Sequence, residues 1–228
     1  MSSFGFGFGI GIAKKAGGVS YDADASAFFT AASITNTTQK SAVNQLVLDL
    51  KSYGVWTKCS AIYPIVGGSA GSHAVNLKTP GTFNLSFSTG WTHSSTGMTG
   101  TSAYANTNLT PSSSLTTNNT HLSIYMGTDT AAGNKVEMGV GVGGTLIPIM
   151  ILLSKYTGTI SQSNAYNLST NQLTASNTNA SGFYIGSRTS STSHKLYKTS
   201  SVIATDINTN PNTLPTLVMT IGGLNSNG

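Results

Sequence analysis

The sequence predicts a mainly β chain, an antiparallel sandwich with a helical hairpin ahead of it. Three observations carry this. From Trp56 to the end, short runs rich in β-branched and aromatic residues alternate with Gly, Asn, Ser and Thr, and no helical period intervenes. Before them, one stretch has the apolar spacing of an amphipathic helix. Ahead of that, large apolar residues alternate with glycine, a period of two.

Taken in order, residues 1–18 form an arm. Phe4, Phe6, Phe8, Ile10 and Ile12 fall on one face of an extended chain, with bare glycine backbone on the other. A glycine-rich strand is weak alone, so the arm is expected to order by adding to a partner's sheet or groove. Gly17-Gly18 reads as the hinge to the body. Residues 19–55 are expected to form a helical hairpin packed on the sandwich. Its first helix lies within Tyr21–Ser33, with Asp22 and Asp24 suited to the helix start. The second is Thr37–Tyr53, which should bury Val43, Leu46, Val47 and Leu50. Asn36 and Gln39 are placed for a capping box, and Gly54 for the stop, with Val55 folding back on Leu50.

Residues 56–228 are expected to be β throughout. The candidate strands are Lys58–Val66, His73–Lys78, Phe83–Ser88, Trp91–His93, His121–Gly127, Lys135–Val142, Leu146–Ser154, Thr159–Gln162, Gly182–Arg188, His194–Lys198, Val202–Thr205 and Leu217–Gly222. The clearest hairpins are Lys135–Ser154, turning at Gly143-Gly144, and His194–Thr205, turning at Thr199–Ser201. Thr96–Thr120 and Ser163–Ser181 read as long polar loops.

Several of these segments, in this order, resemble a family of bacteriophage virion structural proteins: NTTQKSAVNQLVLDLKSYGVWTKCSAIYPIVGG, SHAVNLK, GWTHSSTG, NNTHLSIY and GFYIGSRTSSTSHKLYKTSSVIA. The resemblance runs from about Tyr21 to the end, and no motif in it is catalytic. It implies a jelly-roll sandwich of the concanavalin-A-like, laminin-G-like type. It also implies a particle component (a capsid decoration, a head fibre or a tail appendage) assembled in a host cytoplasm and localised to the virion. Its partners would be other virion proteins, and its oligomer a homotrimer, as phage appendages commonly are. Members of that family continue with another strand and a terminal helix, so the sheet closing at GGLNSNG is expected to be incomplete.

Composition narrows the alternatives. Charged residues are 7% of the chain and hydrophobic ones 38%, so the surface is expected to be kept in water by hydroxyls and amides. The net charge is +5, but the lysines are scattered and only Lys14-Lys15 are adjacent, so no nucleic-acid groove is expected. The apolar start has its lysines after, not before, the apolar part, unlike a secretory signal. The longest apolar run, Leu146–Leu153, contains Pro148 and is too short for a bilayer, so no membrane partner is expected. The lone Cys59 reads as a small buried residue of a strand.

No enzyme, cofactor or metal is expected. Glycoside hydrolysis needs two flanking carboxylates, and Glu137, the one glutamate, has no acidic neighbour along its strand; Asp129 lies in a loop. No G-x-S-x-G elbow is present, and the glycines of GVGVGG precede no helix. His73, His93, His121 and His194 stand singly in β segments, and His93 and His121 suit structural hydrogen bonds between strands. The remaining binding chemistry is carbohydrate recognition: Trp91, Tyr104 and Tyr166, with loop asparagines, could stack on and hydrogen-bond a host surface glycan.

Overall fold

The computed structural model describes residues 20–131, 133, 136–142, 148–156, 160–164, 173–207 and 213–226. The arm with Phe4, Phe6, Phe8, Ile10 and Ile12 lies outside them, as do Tyr166 and the Gly143-Gly144 turn.

Helix α1 (Ala23–Ala31) starts at Asp22, whose side chain accepts the Asp24 N–H, and α2 (Thr37–Ser52) starts at Asn36, which accepts the Gln39 N–H. Gln39 does not return the bond; its amide donates instead to the Ser95 carbonyl at 3.4 Å, so the expected capping box is half formed. At the far end Gly54 takes φ +66°, Val55 N–H reaches Leu50 O and Gly54 N–H reaches Lys51 O, the paired bonds of a Schellman stop. The start of α1 meets the last turn of α2, where the Lys51 ammonium contacts Asp22 at 2.7 Å and Asp24 at 2.6 Å. Val43 and Val47 are buried as expected and Leu50 half so, but Leu46 lies 38% exposed. The α1 contact is a narrow stripe at i, i+4 and i+7, and Leu46 falls on its flank.

These helices do not bury their apolar face on a sheet. Phe28, Phe29, Val43 and Val47 share a core with Trp56, Val75 and Leu77. The segment that supplies those residues is not the pair of strands expected at Lys58–Val66 and His73–Lys78. It is one 3₁₀ turn (Trp56–Lys58), extended chain, and the short helix α3 (Ala70–Ala74). Beside a single backbone bond between the two runs, Leu77 N–H to Ile62 O (2.8 Å), a side chain takes the ladder's place: fully buried Asn76 accepts from Ile62 N–H (2.9 Å) and Lys78 N–H (3.0 Å) and donates to Thr82 O (2.9 Å). With that partner available, the segment needs no sheet ladder. Cys59 is accordingly a half-buried coil residue, its thiol pushed up by burial.

Among the described residues the strands begin at Ser86. The larger sheet runs in the order β1 (Ser86–Phe87), β4 (Ala105–Asn106), β13 (Thr220–Ile221), β6 (Met138–Gly141), β7 (Ile149–Tyr156), β8 (Ile160–Asn164) and β9 (Leu173–Ser176), and β14 (Leu224–Asn225) pairs β6 in parallel. The smaller sheet is β12 (Ser201–Asp206), β11 (Ser193–Lys198), β10 (Gly182–Ser190) and β5 (Thr120–Met126), antiparallel throughout. A separate hairpin pairs β2 (Trp91–Ser94) with β3 (Gly97–Gly100). The regions read as polar loops therefore hold β3, β4, a helical turn α4 (Pro111–Ser114) and β9, and the strand expected at Leu217–Gly222 is only Thr220–Ile221. Two-residue strands in polar sequence carry too little period to be seen.

One core lies between the two sheets: Val140, Met150, Leu152 and Leu173 from the larger, Leu122, Tyr184 and Leu196 from the smaller, with Leu214 and Met219. The chain is thus mainly β with antiparallel sheets, an arrangement compatible with a β-sandwich. Strand β7 is buried on its other face too, where Ile149, Ile151 and Leu153 meet Val136, Tyr156 and Leu224. That double burial is why Leu146–Leu153 reads as a continuous apolar run. Buried Tyr184 is satisfied at the sandwich end: its hydroxyl accepts from Asn177 (2.7 Å) and donates to Asn179 O (3.2 Å), while Asn177 also donates to Ser154 O.

Candidate functional site

Strands β4, β13 and β14 line a groove of about 480 Å³ beside Tyr104, with Asn106, Thr216, Thr220 and Asn225 along it. Tyr104 is 49% exposed, so its ring is accessible from the groove. The Asn106 side chain is half-buried and, among the described residues, makes no hydrogen bond, leaving an amide donor and acceptor for a ligand. Thr220 is committed, its one hydroxyl proton lying between Gly139 O (3.0 Å) and Gly223 O (2.8 Å), and the Asn225 amide donates to Val218 O at 2.8 Å. The described residues that line the groove are uncharged, and they offer a ring face on Tyr104 and an amide for hydroxyls on Asn106.

Trp91 is beside this groove but beneath it. Its indole N–H donates to Tyr104 O at 3.0 Å, and its ring stacks edge-on with Phe87 at 5.8 Å. The ring fills the space left by two glycines. A Cβ on Gly100 would lie 3.0 Å from it, and one on Gly222 would lie 2.9 Å from it and 2.7 Å from Ala103 O. Gly222 also has φ +79°, which a side chain would strain. Trp91 therefore holds up the backbone of Tyr104 and Gly222. Of the aromatic residues singled out in the sequence, the structure brings Trp91 and Tyr104 together, and Tyr166 lies outside the described residues.

The acidic residues are in structural bonds. Asp22 caps α1, its carboxyl held below the usual range chiefly by the hydrogen bond from Lys51. Glu137 accepts from both the N–H and the hydroxyl of Ser154. Asp129 accepts from Ala180 N–H and Lys155, which lower its pKa. Among the described residues no three His, Cys, Asp or Glu side chains come together as a metal site, and no helix is long and apolar enough to cross a membrane.

Two histidine placements were not legible. His73 and His93 are a pair, Nδ1 to Nδ1 at 2.9 Å, between α3 and β2 rather than between two strands. His194 lies on the buried face of β11 with Leu196, 1% exposed, opposite Arg188 on β10 and Asp206 on β12. Burial, then the Arg188 charge, push its pKa down to about 4 against the opposing pull of Asp206.

The outer face of the smaller sheet has an apolar half. Tyr125 stands directly opposite Phe183, and Ile185, Tyr197 and Val202 form the next row, with Ser123 at its β5 end. Tyr125 is 71%, Phe183 40% and Val202 48% exposed. The other half is polar, with His121, Ser187, Lys195 and Thr205. No family model, curated protein or solved structure matches the chain.

Proposed function

We propose that this chain is a structural component of a bacteriophage particle surface, a capsid decoration, head fibre or tail appendage, that self-associates as a trimer. The observation that carries the reading is the apolar half-face of the smaller sheet. Tyr125, Phe183, Ile185, Tyr197 and Val202 form one contiguous patch, and among the described residues of these four strands Lys195 is the one charge on that face. A patch of this kind marks a protein contact in a chain whose surface has so little charge to keep copies apart. Among the described residues β5 and β12 are also open sheet edges, which another chain can pair. The sequence resemblance supplies the particle context, and the arm with Phe4, Phe6, Phe8, Ile10 and Ile12 supplies the anchor. A jelly-roll of concanavalin-A-like type is supported by the chain path: it leaves the smaller sheet after β5, runs β6 to β9 in the larger, and returns to lay β10 beside β5.

Light scattering of the full chain at micromolar concentration should give a trimer, and Phe183→Lys should return a monomer with unchanged circular dichroism. A wild-type monomer counts against the reading. A particle reconstruction with ordered copies on head or tail, lost on deletion of Met1–Gly18, is the direct test. Virions of normal composition after that deletion would remove the arm from the mechanism.

A second reading, a receptor-binding lectin on the same scaffold, is favoured by the Tyr104 groove with its open Asn106 amide. Glycan-array binding by the full chain that disappears in Tyr104→Ala would support it. Trp91→Ala is the poorer probe, since it removes packing beneath two backbone segments.

A further inference from the structure

His73 and His93 are twenty residues apart in sequence, and their rings meet with Nδ1 atoms at 2.9 Å and centroids at 5.0 Å. Such a contact holds one proton: one ring donates from Nδ1 and the other accepts. The burial of His73 decides which. It is 1% exposed, and its Nε2 has no hydrogen-bond partner. A bare Nε2 is a lone pair without a donor, whereas an Nε2–H there would be a buried donor without an acceptor, the costlier state. His73 is therefore the Nδ1–H donor, and half-exposed His93 keeps its own proton on Nε2.

Adding a second proton spoils this arrangement by either route. Protonation of His73 puts N–H on its partnerless Nε2. Protonation of His93 at Nδ1 reverses the shared bond and drives the His73 proton to the same Nε2. Among the described residues no anion acts on His73 to relieve the charge. From β1 the contact is Phe87, edge-on to His93 at 4.7 Å. From α2 it is the neutral Gln39 amide on Ser95, with Lys40 turned over Phe29. Tyr63, in the cluster that includes Phe87, donates to Phe83 O and is kept neutral by burial. The influences on His73 are burial first and the second histidine next, both of which lower its pKa.

We propose that the His73–His93 contact is a proton-sensitive latch: it holds the β2–β3 hairpin against α3 at neutral pH and releases it on acidification. Among the described residues the hairpin is a two-stranded sheet of its own with no ladder pairing to either larger sheet, so side-chain contacts hold it: this one, the Trp91 indole bond to Tyr104 O and the Gln39 bond to Ser95 O. It also carries Trp91, which supports Tyr104 and Gly222 at the groove. Acid release would withdraw that support and alter the groove. The latch depends on this geometry alone and holds or fails independently of what the groove or the apolar face binds.

Nitrogen-15 spectra of the histidines in the full chain at about pH 7.5 should show His73 as the Nδ1–H tautomer and His93 as the Nε2–H tautomer. Amide exchange over Trp91–Gly100, corrected for intrinsic rates, should lose about tenfold in protection between about pH 7.5 and 5.5, the effect of one unit of linked proton uptake. In His93→Phe, which keeps the Phe87 contact and removes one of the two rings, that loss should shrink, and with His73→Phe added it should vanish, while changes elsewhere linked to His194 remain. His93→Gln serves if the phenylalanine variant does not fold. The latch is overturned if the hairpin shows the same pH dependence in wild type and variant, or if the two rings titrate independently near their ordinary values. It is also overturned if one equivalent of zinc shifts both Nδ1 resonances and protects the hairpin, which would make the pair a metal site.

Discussion

The helical core and the two-sheet core solve the same problem over different distances along the chain. In the helical core, α1, α2 and the segment to Leu77 lie within one continuous stretch, and each terminus of α1 and α2 is satisfied by a neighbour: Asp22, Ser33, Asn36 and Gly54. In the two-sheet core the deciding bonds are remote. Thr107 reaches Met219 across 112 residues and Thr220 reaches Gly139 across 81. A core built from local contacts can be read and nucleated locally, whereas one built from remote contacts must assemble as a whole.

The largest expected effects come from emptying each core. Phe28→Ala, at a fully buried ring of the helical core, should cost about 3–5 kcal/mol, and Leu152→Ala, fully buried between the sheets, about 2–5 kcal/mol. Because the two side chains share no cluster, the losses should add to within about 0.5 kcal/mol in chemical denaturation of the double variant. Strong non-additivity, or two separate unfolding transitions, would break the picture of two cores unfolding together.

Asn76→Ala should come next. It leaves Ile62 N–H, Lys78 N–H and Thr82 O without their partner, at about 1–3 kcal/mol for each that water cannot reach. A thermal shift no larger than that of an exposed Asn→Ala change would show that solvent replaces the side chain.

Asn76 also shows why the sequence misleads at Lys58–Val66. The composition of that run is strand-like, and only a fold that buries Asn76 opposite it turns the run into coil; in the sequence this asparagine falls inside the strand expected at His73–Lys78. Helix α2 was legible to within one residue of its end because cap, stripe and stop all lie within it. Tyr104 was legible as an aromatic residue in a polar stretch, but the task of Trp91 was not, since Gly222 reaches it from the far end of the chain. The His73–His93 contact needs a chain reversal that no spacing rule describes.

The two-sheet core differs from the helical one in burying charge chemistry, and pH should expose the difference. His194 has a folded pKa lowered to about 4 from 6.5, so above pH 6.5 it is neutral in both states and its full contribution is present. As pH falls from 6.5 toward 4, the unfolded chain takes up the proton and the folded one does not. Stability should then drop by on the order of 3 kcal/mol and level off below that range. His73, also lowered, acts in the same direction, so the difference between wild type and His194→Gln isolates the His194 share. Identical slopes in the two proteins would show that the sandwich buries this histidine at no cost in proton linkage.

The smallest expected effect is at the surface of the helical core. Lys51 contacts Asp22 and Asp24 and lies 5.5 Å from the Trp56 ring centre, which looks like a strong clasp between α1 and α2. Its side chain is 34% exposed and that of Asp24 42%, so water and salt compete for both charges. Pairs of this kind contribute about 0.2–1 kcal/mol. Lys51→Met keeps the aliphatic stem over Trp56 and removes only the charge, so it should cost less than about 1 kcal/mol in low salt. The cost should shrink further near 1 M salt, where the screening length falls to about 3 Å. A loss several times larger, unchanged by salt, would mean that the two helices are held together by the ion pair, and that Phe28, Val43 and Val47 contribute less than their burial implies.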